Sequence, residues 1–469
     1  MFRLNILILL WRASLNNPLT FRLTPNPTQE FLVSYLYLRE GFYLIASVKN
    51  YLFFSRGNQP LFLKKISFFC FFMALKKISF REKEKIISSA IKKIKPKLPK
   101  ENFVSSSPSV FVGRLGYPSV NLGILTTPEV SDSAWKYDAP RYWSENHFQV
   151  PEVVDLRAEL INSRFNVNIK KIDKIVCSVQ DIALARKPVD VEIHADKPPK
   201  ISFSSDSFLA PTGSSACLKK FEVTSHPKIH PAVQKFHYDT DCKSSEALVS
   251  LFKKGIDETS LTRMLSVGSF GLKRNRKLVP TRWSITATDE VLGKDLIGKI
   301  KDFRCSDYLA FFGGYLGNYY LILFFPEVWS FELFEMYVSQ KNQSKDDVEF
   351  STDFEGYRGR KDYAASCVGG YYANRLGVLE KLFKLKRQAS VLALRFITDE
   401  YVLPLGVWVC RQSTRVALEG KPLEFASKEL MLSYAKKLAE RKFGFDLSLI
   451  LRRSLLLKQL KQSKLADFF

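Results

Sequence analysis

Apolar and polar positions along the chain repeat with two periods, and the switches between them mark out the elements. From Glu82 to Lys93 isoleucines recur at helical spacing among lysines, so the segment reads as a basic helix that closes at Pro96 and Pro99. Ser105–Pro108 reads as a polar linker, and Phe111–Gly123 as a strand entering tight turns, where three glycines supply backbone freedom. Asp155–Phe165 has Leu156, Leu160 and Ile161 on one side, which predicts a helix; Ile172–Leu184 is mostly apolar, and Val189–His194 alternates like a strand. Ser244–Gly255 reads as a helix. Val279–Asp289 alternates after Pro280, which predicts a strand with Thr281, Trp283, Ile285, Ala287 and Asp289 on one face.

Further on, Tyr319–Phe325 is an apolar strand ended by Pro326, and Trp329–Tyr337 has a helical pattern that leaves Glu332 and Glu335 exposed. Tyr363–Phe383 reads as a long helix interrupted by Gly369-Gly370. A glycine in a helix interior costs about 1 kcal/mol, so close approach to a neighbouring backbone or ligand is the expected compensation. Ala389–Phe396 and Val402–Cys410 read as two strands with a bend at Pro404-Leu405-Gly406. Lys428–Arg441 is amphipathic, and Leu447–Leu460 is a Leu-rich helix. These elements predict a mixed α/β (α+β) protein with two globular domains, at 106–260 and 261–440. A basic helix and linker (74–105) precede them, and a basic Leu-rich helix (441–461) and a flexible tail (462–469) follow.

Residues 1–73 are different: rich in Phe, Leu and Tyr, basic and without clear period. Leu4–Trp11 lacks a clean cleavage site after it. Ile66–Leu75 is about half the ~20 residues a membrane helix needs, so membrane association is the weakest of the readings. Met73 stands just before Ala74-Leu75-Lys76-Lys77, where ordinary soluble composition begins, and is the candidate natural start.

Charge narrows the choice of partner. The 469 residues carry a formal charge of +24, and residues 1–100 alone hold 18 Lys and Arg against 4 Asp and Glu. Such an excess favours a polyanion, nucleic acid first. The seven cysteines are scattered with no C-x-x-C pair, which fits reduced thiols in a cytosolic, cytoplasmic protein and gives no Cys-rich zinc site.

Three places hold candidate chemistry. The run Lys273-Arg274-Asn275-Arg276-Lys277, followed by Arg282, suits phosphate oxygens; Arg360 and Arg375 are further candidate DNA contacts. His237-Tyr238-Asp239-Thr240-Asp241 places two carboxylates beside a histidine, a set able to hold Mg²⁺ or Mn²⁺, or else a turn before the next helix. Asp353-Phe354-Glu355 with Lys361 loosely echoes acid–acid–lysine sites for metal-dependent phosphodiester cleavage, or forms a charged turn. The chain ends in Gln462-Ser463-Lys464-Leu465-Ala466-Asp467-Phe468-Phe469. In one helical turn Leu465 and Phe468 share a face, Phe469 extends it, and Gln462 offers a donor and an acceptor. This Q-x-x-L-x-x-F-F pattern resembles the PIP box, by which replication and repair proteins dock on the sliding clamp PCNA.

Phe111–Gly123, Val279–Asp289 and the block from Gly356 to Arg411 together resemble the archaeal Nre family of DNA repair proteins, over roughly residues 103 to 440. The resemblance implies work in DNA damage repair with PCNA and brings no settled chemistry. Members often carry a Cys-rich, zinc-finger-like segment ahead of the F-V-G-R motif; residues 74–112 here contain no cysteine. Two function classes follow: a metal-dependent enzyme using His237, Asp239, Asp241, Asp353, Glu355 and Lys361, or a non-catalytic DNA-binding adaptor at PCNA. The first predicts that Asp239, Asp353 and Glu355 converge; the second that they are scattered and solvated.

Overall fold

The computed structural model describes residues 81–338 and 349–461 in full, and before residue 81 only the backbone of five strands and the start of a long helix. Those strands run as an antiparallel meander, β1 (Arg22–Leu23), β2 (Phe31–Leu38), β3 (Gly41–Val48), β4 (Tyr51–Arg56) and β5 (Gln59–Lys65). Residues 1–82 form one compact unit, and the rest of the chain another. The helix α1 (Ser67–Ile94) follows the meander. Among the described residues no helix is long and apolar enough to cross a membrane.

The larger unit is mixed α/β, built on two six-stranded sheets. The first has the order β6-β10-β11-β9-β8-β7, from β6 (Asn102–Ser107), β7 (Ser109–Val112), β8 (Ser119–Thr126), β9 (Ile161–Asn168), β10 (Val189–Ala195) and β11 (Ser215–Val223). In this sheet only β9 and β11 pair in parallel. Ser105–Pro108 is therefore no linker. Ser105, Ser106 and Ser107 are buried in β6, where Ser106 Oγ donates to Asp190 and Ser107 Oγ to backbone carbonyls, which satisfies hydroxyls that would otherwise demand solvent. The expected helix over Asp155–Phe165 ends at Glu159, and the chain turns at Leu160 into β9.

The second sheet has the order β15-β14-β16-β13-β12-β17, from β12 (Tyr308–Tyr315), β13 (Asn318–Phe325), β14 (Ser330–Tyr337), β15 (Phe350–Glu355), β16 (Ser390–Ile397) and β17 (Leu423–Phe425). One face packs on the cluster containing Leu292, Leu376 and Leu379, and the other on Met431, Ala435 and Leu447. The Trp329–Tyr337 segment is thus strand β14, parallel to β16, with Glu332 fully buried and Glu335 largely so. Apolar residues on both faces of a buried strand lose the period-2 signal, which is why the segment reads as helical.

Two more expectations change. Val279–Asp289 opens helix α8 (Thr281–Ile300), whose buried Ser284, Thr288, Leu292, Leu296 and Ile300 recur every fourth residue. Its first nine residues alternate in polarity; the helical period emerges only over the full twenty. Leu403 and Leu405 are buried in a loop, after which α10 (Trp408–Glu419) begins. The glycine pair lies in the first turn of α9 (Val368–Leu385). A Cβ at Gly369 would come within 2.9 Å of Val407 Cγ2, and one at Gly370 within 2.9 Å of Glu335 Oε1. Close packing is therefore what the glycines permit. The Leu-rich stretch is two short helices, α12 (Ser448–Arg453) and α13 (Leu455–Gln459), parted at Ser454. There Ser454 Oγ and the amides of Leu455 and Leu456 donate to the buried carboxylate of Glu332.

Candidate nucleic-acid interface

Three loops of the larger unit lie side by side through backbone hydrogen bonds. Ile169 N donates to Pro118 O at 3.0 Å, and Leu278 N donates to Ile169 O at 2.9 Å. The 113–118 turn, the end of β9 and the 273–280 segment therefore share one surface. Gly116 has φ +84, and a Cβ there would meet Ser119 O at 2.7 Å, so the turn needs glycine. Val112 N donates to Thr281 Oγ1 at 2.9 Å, which pins the start of α8 beside β7.

On this surface Tyr117 and Trp283 form a tilted pair with ring centroids 5.3 Å apart, and each is nearly half exposed. On the same three loops Arg114, Lys170, Lys171, Lys273, Arg274 and Lys277 are exposed. Of these cations only Lys171 has an ion pair among the described residues, to Asp173. Exposed cations and solvent-facing rings on one surface are the chemistry that phosphate contact and base stacking require. Tyr117 and Trp283 carried a signal in the sequence, aromatics next to glycine turns and a basic run, but only the fold pairs them.

The remaining candidate cations are spent inside the protein. Arg276 donates to the carbonyls of Gly271, His237 and Asp239, stapling its loop to the end of α5 (Pro231–Tyr238). Arg282 pairs with Asp206 at 3.2 Å and lies 3.5 Å over the Phe208 ring. Arg360 binds the carbonyls of Phe354, Asp362 and Tyr363 and pairs with Asp353. Arg375 is buried between Glu355 and Glu290, and burial is outweighed by those two carboxylates, which hold its guanidinium charged. These four serve the fold, because each is held by carboxylates, carbonyls or a ring of the protein itself.

The acidic candidates separate in the same way. Asp239 Oδ1 accepts from the amides of Asp241 and Cys242, an Asx turn ahead of α6 (Ser244–Lys253). His237 is half-buried, and its imidazole is pushed down in pKa by burial and by Arg276. Asp353 Oδ2 accepts from the amides of Ser366 and Cys367 at the start of α9. Glu355 accepts from Trp329 Nε1 at 3.2 Å and from Arg375 at 2.6 Å. Lys361 is exposed. Neither expectation for the acids fits Asp353 and Glu355, which are buried and paired instead of convergent or solvated. Among the described residues no three His, Cys, Asp or Glu side chains gather as a metal site. Gln462, Leu465, Phe468 and Phe469 lie outside the described residues.

With this geometry in hand, the comparisons with known proteins define a class. The model of the archaeal Nre N-terminal region matches residues 79–342, and that of the archaeal Nre C-terminal region matches 355–468. The chain belongs to the archaeal Nre family. It is 36% identical to the DNA repair protein NreB of Archaeoglobus fulgidus over 78% of this chain and 91% of that protein. It is 34% identical to the DNA repair protein NreA of Haloferax volcanii over 67% of this chain and 77% of that one. NreA of A. fulgidus is 36% identical over 72% of this chain and 85% of its own. No solved structure matches the chain.

Proposed function

We propose that this protein acts in DNA repair as a DNA-binding adaptor, holding DNA on the surface around Tyr117 and Trp283 and docking on PCNA through Gln462, Leu465, Phe468 and Phe469. The observation that carries the reading is the exposed Tyr117–Trp283 pair on a surface whose adjoining loops carry the exposed Lys170, Lys273, Arg274 and Lys277. The repair context comes from the names of its relatives. An adaptor is favoured over Mg²⁺- or Mn²⁺-dependent cleavage because Asp353 and Glu355 are committed to Arg360 and Arg375.

Fluorescence anisotropy with a labelled duplex tests the surface. Replacing Lys273, Arg274 and Lys277 by Ala is expected to weaken binding and to flatten the salt dependence, by about 0.9 in log–log slope for each phosphate no longer neutralised. Unchanged affinity and slope would refute the surface. Pull-down of the full chain with archaeal PCNA, beside Phe468→Ala/Phe469→Ala, tests the tail, and equal capture of both would refute the docking motif.

A further inference from the structure

A cavity of about 90 Å³ opens beside this surface. That is several times the ~10–15 Å³ one water needs. Its walls include Phe111, Phe208, Ile285 and Trp408, with Thr212, Thr259 and Thr262 supplying hydroxyls. Arg157, Arg263 and Arg411 also line it.

The protein satisfies these arginines unequally. Arg411 is buried; its Nη2 reaches both Asp289 oxygens, while its Nε is buried with no hydrogen-bond partner. Arg157 is buried and spends Nε and Nη1 on Pro211 O, Tyr137 O and Asp138, and no hydrogen bond from its Nη2 exists among the described residues. Arg263 donates to the carbonyls of Pro108, Ala183 and Ala185 and has no ion pair among the described residues. Burial pushes the Arg157 and Arg263 guanidinium groups down in pKa, against the opposing pull of Asp138. A buried, unpartnered guanidinium donor at such a cavity calls for a ligand that accepts hydrogen bonds.

We propose that the cavity receives one nucleotide, its flat ring against the aromatic walls and its anionic oxygens satisfying the arginine donors. The placement favours a nucleotide extruded from DNA. Thr281 and Ile285, one turn apart on α8, line the cavity, while Trp283 between them is exposed beside Tyr117. A strand lying on the exposed pair would have the cavity next to it. An unpaired base costs least to extrude, so the site would select DNA carrying one. This rests on the DNA-binding reading above.

The test uses the full chain, a paired duplex, and the same duplex with one unpaired nucleotide, read by anisotropy. Wild type is expected to bind the second about tenfold more tightly. Ala210→Phe, which fills the cavity, is expected to abolish that preference and leave affinity for the paired duplex unchanged. A parallel arm measures melting temperature with a deoxynucleoside monophosphate. A shift in wild type that Ala210→Phe removes, with no preference between duplexes, assigns the site to a free nucleotide. Equal binding of both duplexes by wild type with no monophosphate shift overturns the proposal, however the variant folds. If no duplex binds, the surface reading fails by itself, and the monophosphate arm still decides the cavity.

Discussion

The two six-stranded sheets of the larger unit solve the burial problem differently. All eight residues of β16 are buried, because helices cover both faces of the second sheet. In the first sheet β10 alternates between buried and half-buried, and β11 exposes Lys219, Lys220 and Glu222. One main cluster, around Val120, Ile124, Val179 and Val191, supports that sheet. A doubly covered sheet can keep a charge only where a counter-charge or hydrogen-bond donors hold it, whereas a sheet with a solvated face can leave charge free. The difference explains why the carboxylates of the second sheet are all engaged, Glu335, Asp353 and Glu355 by arginines and Glu332 by Ser454 and two backbone amides. It also explains why the uncommitted cations gather on loops flanking the first.

Breaking an ion pair on each side should separate them most. Glu355→Ala leaves buried Arg375 with Glu290 alone and is expected to cost about 3–5 kcal/mol by chemical denaturation. Glu222→Ala, which releases the solvent-facing Lys220, should leave the denaturation midpoint in place. Equal effects would dissolve the contrast. An apolar pair comes next. Leu392→Ala in β16 should cost about 2–5 kcal/mol through the cavity it creates, whereas Val104→Ala at the half-exposed edge of β6 should stay within about 0.5 kcal/mol.

The smallest effect sharpens the comparison through pH. Burial alone would raise the carboxyl of Glu258, but Arg415, Arg411 and Arg141 outweigh it and hold it far below the ordinary value of 4.5. A depressed folded-state value contributes stability above pH 4.5 that is lost as pH falls below it. Thermal melts from about pH 6 downward should therefore show wild type losing stability in acid more steeply than Glu258→Gln. Parallel curves would show that the arginines around Glu258 do not hold its charge.

Much of the architecture was legible. The alternating strand at 189–195, the apolar strands at 318–325 and 390–397, the helix at 244–253 and the amphipathic segment at 428–443 follow from the local pattern of the chain. The segments that misread have a common cause. Trp329–Tyr337 is apolar on both sides, and Val279–Asp289 alternates for only half a helix, so local pattern pointed the wrong way. Of the candidate DNA contacts, Lys273, Arg274 and Lys277 are exposed, while Arg276, Arg282, Arg360 and Arg375 are bound internally by residues up to 85 positions away. Nothing in a run of basic residues distinguishes the two.

The sequence by itself determined the mixed α/β class, the net positive charge, and the motifs that place the chain in the archaeal Nre family. These depend on neighbouring residues, whose spacing the chain carries openly. Only the tertiary structure decided which charges are free, that Tyr117 meets Trp283, and that three arginines line one cavity. Burial and pairing are properties of distant segments brought together, and the electrostatics of a site follows from its neighbours in space.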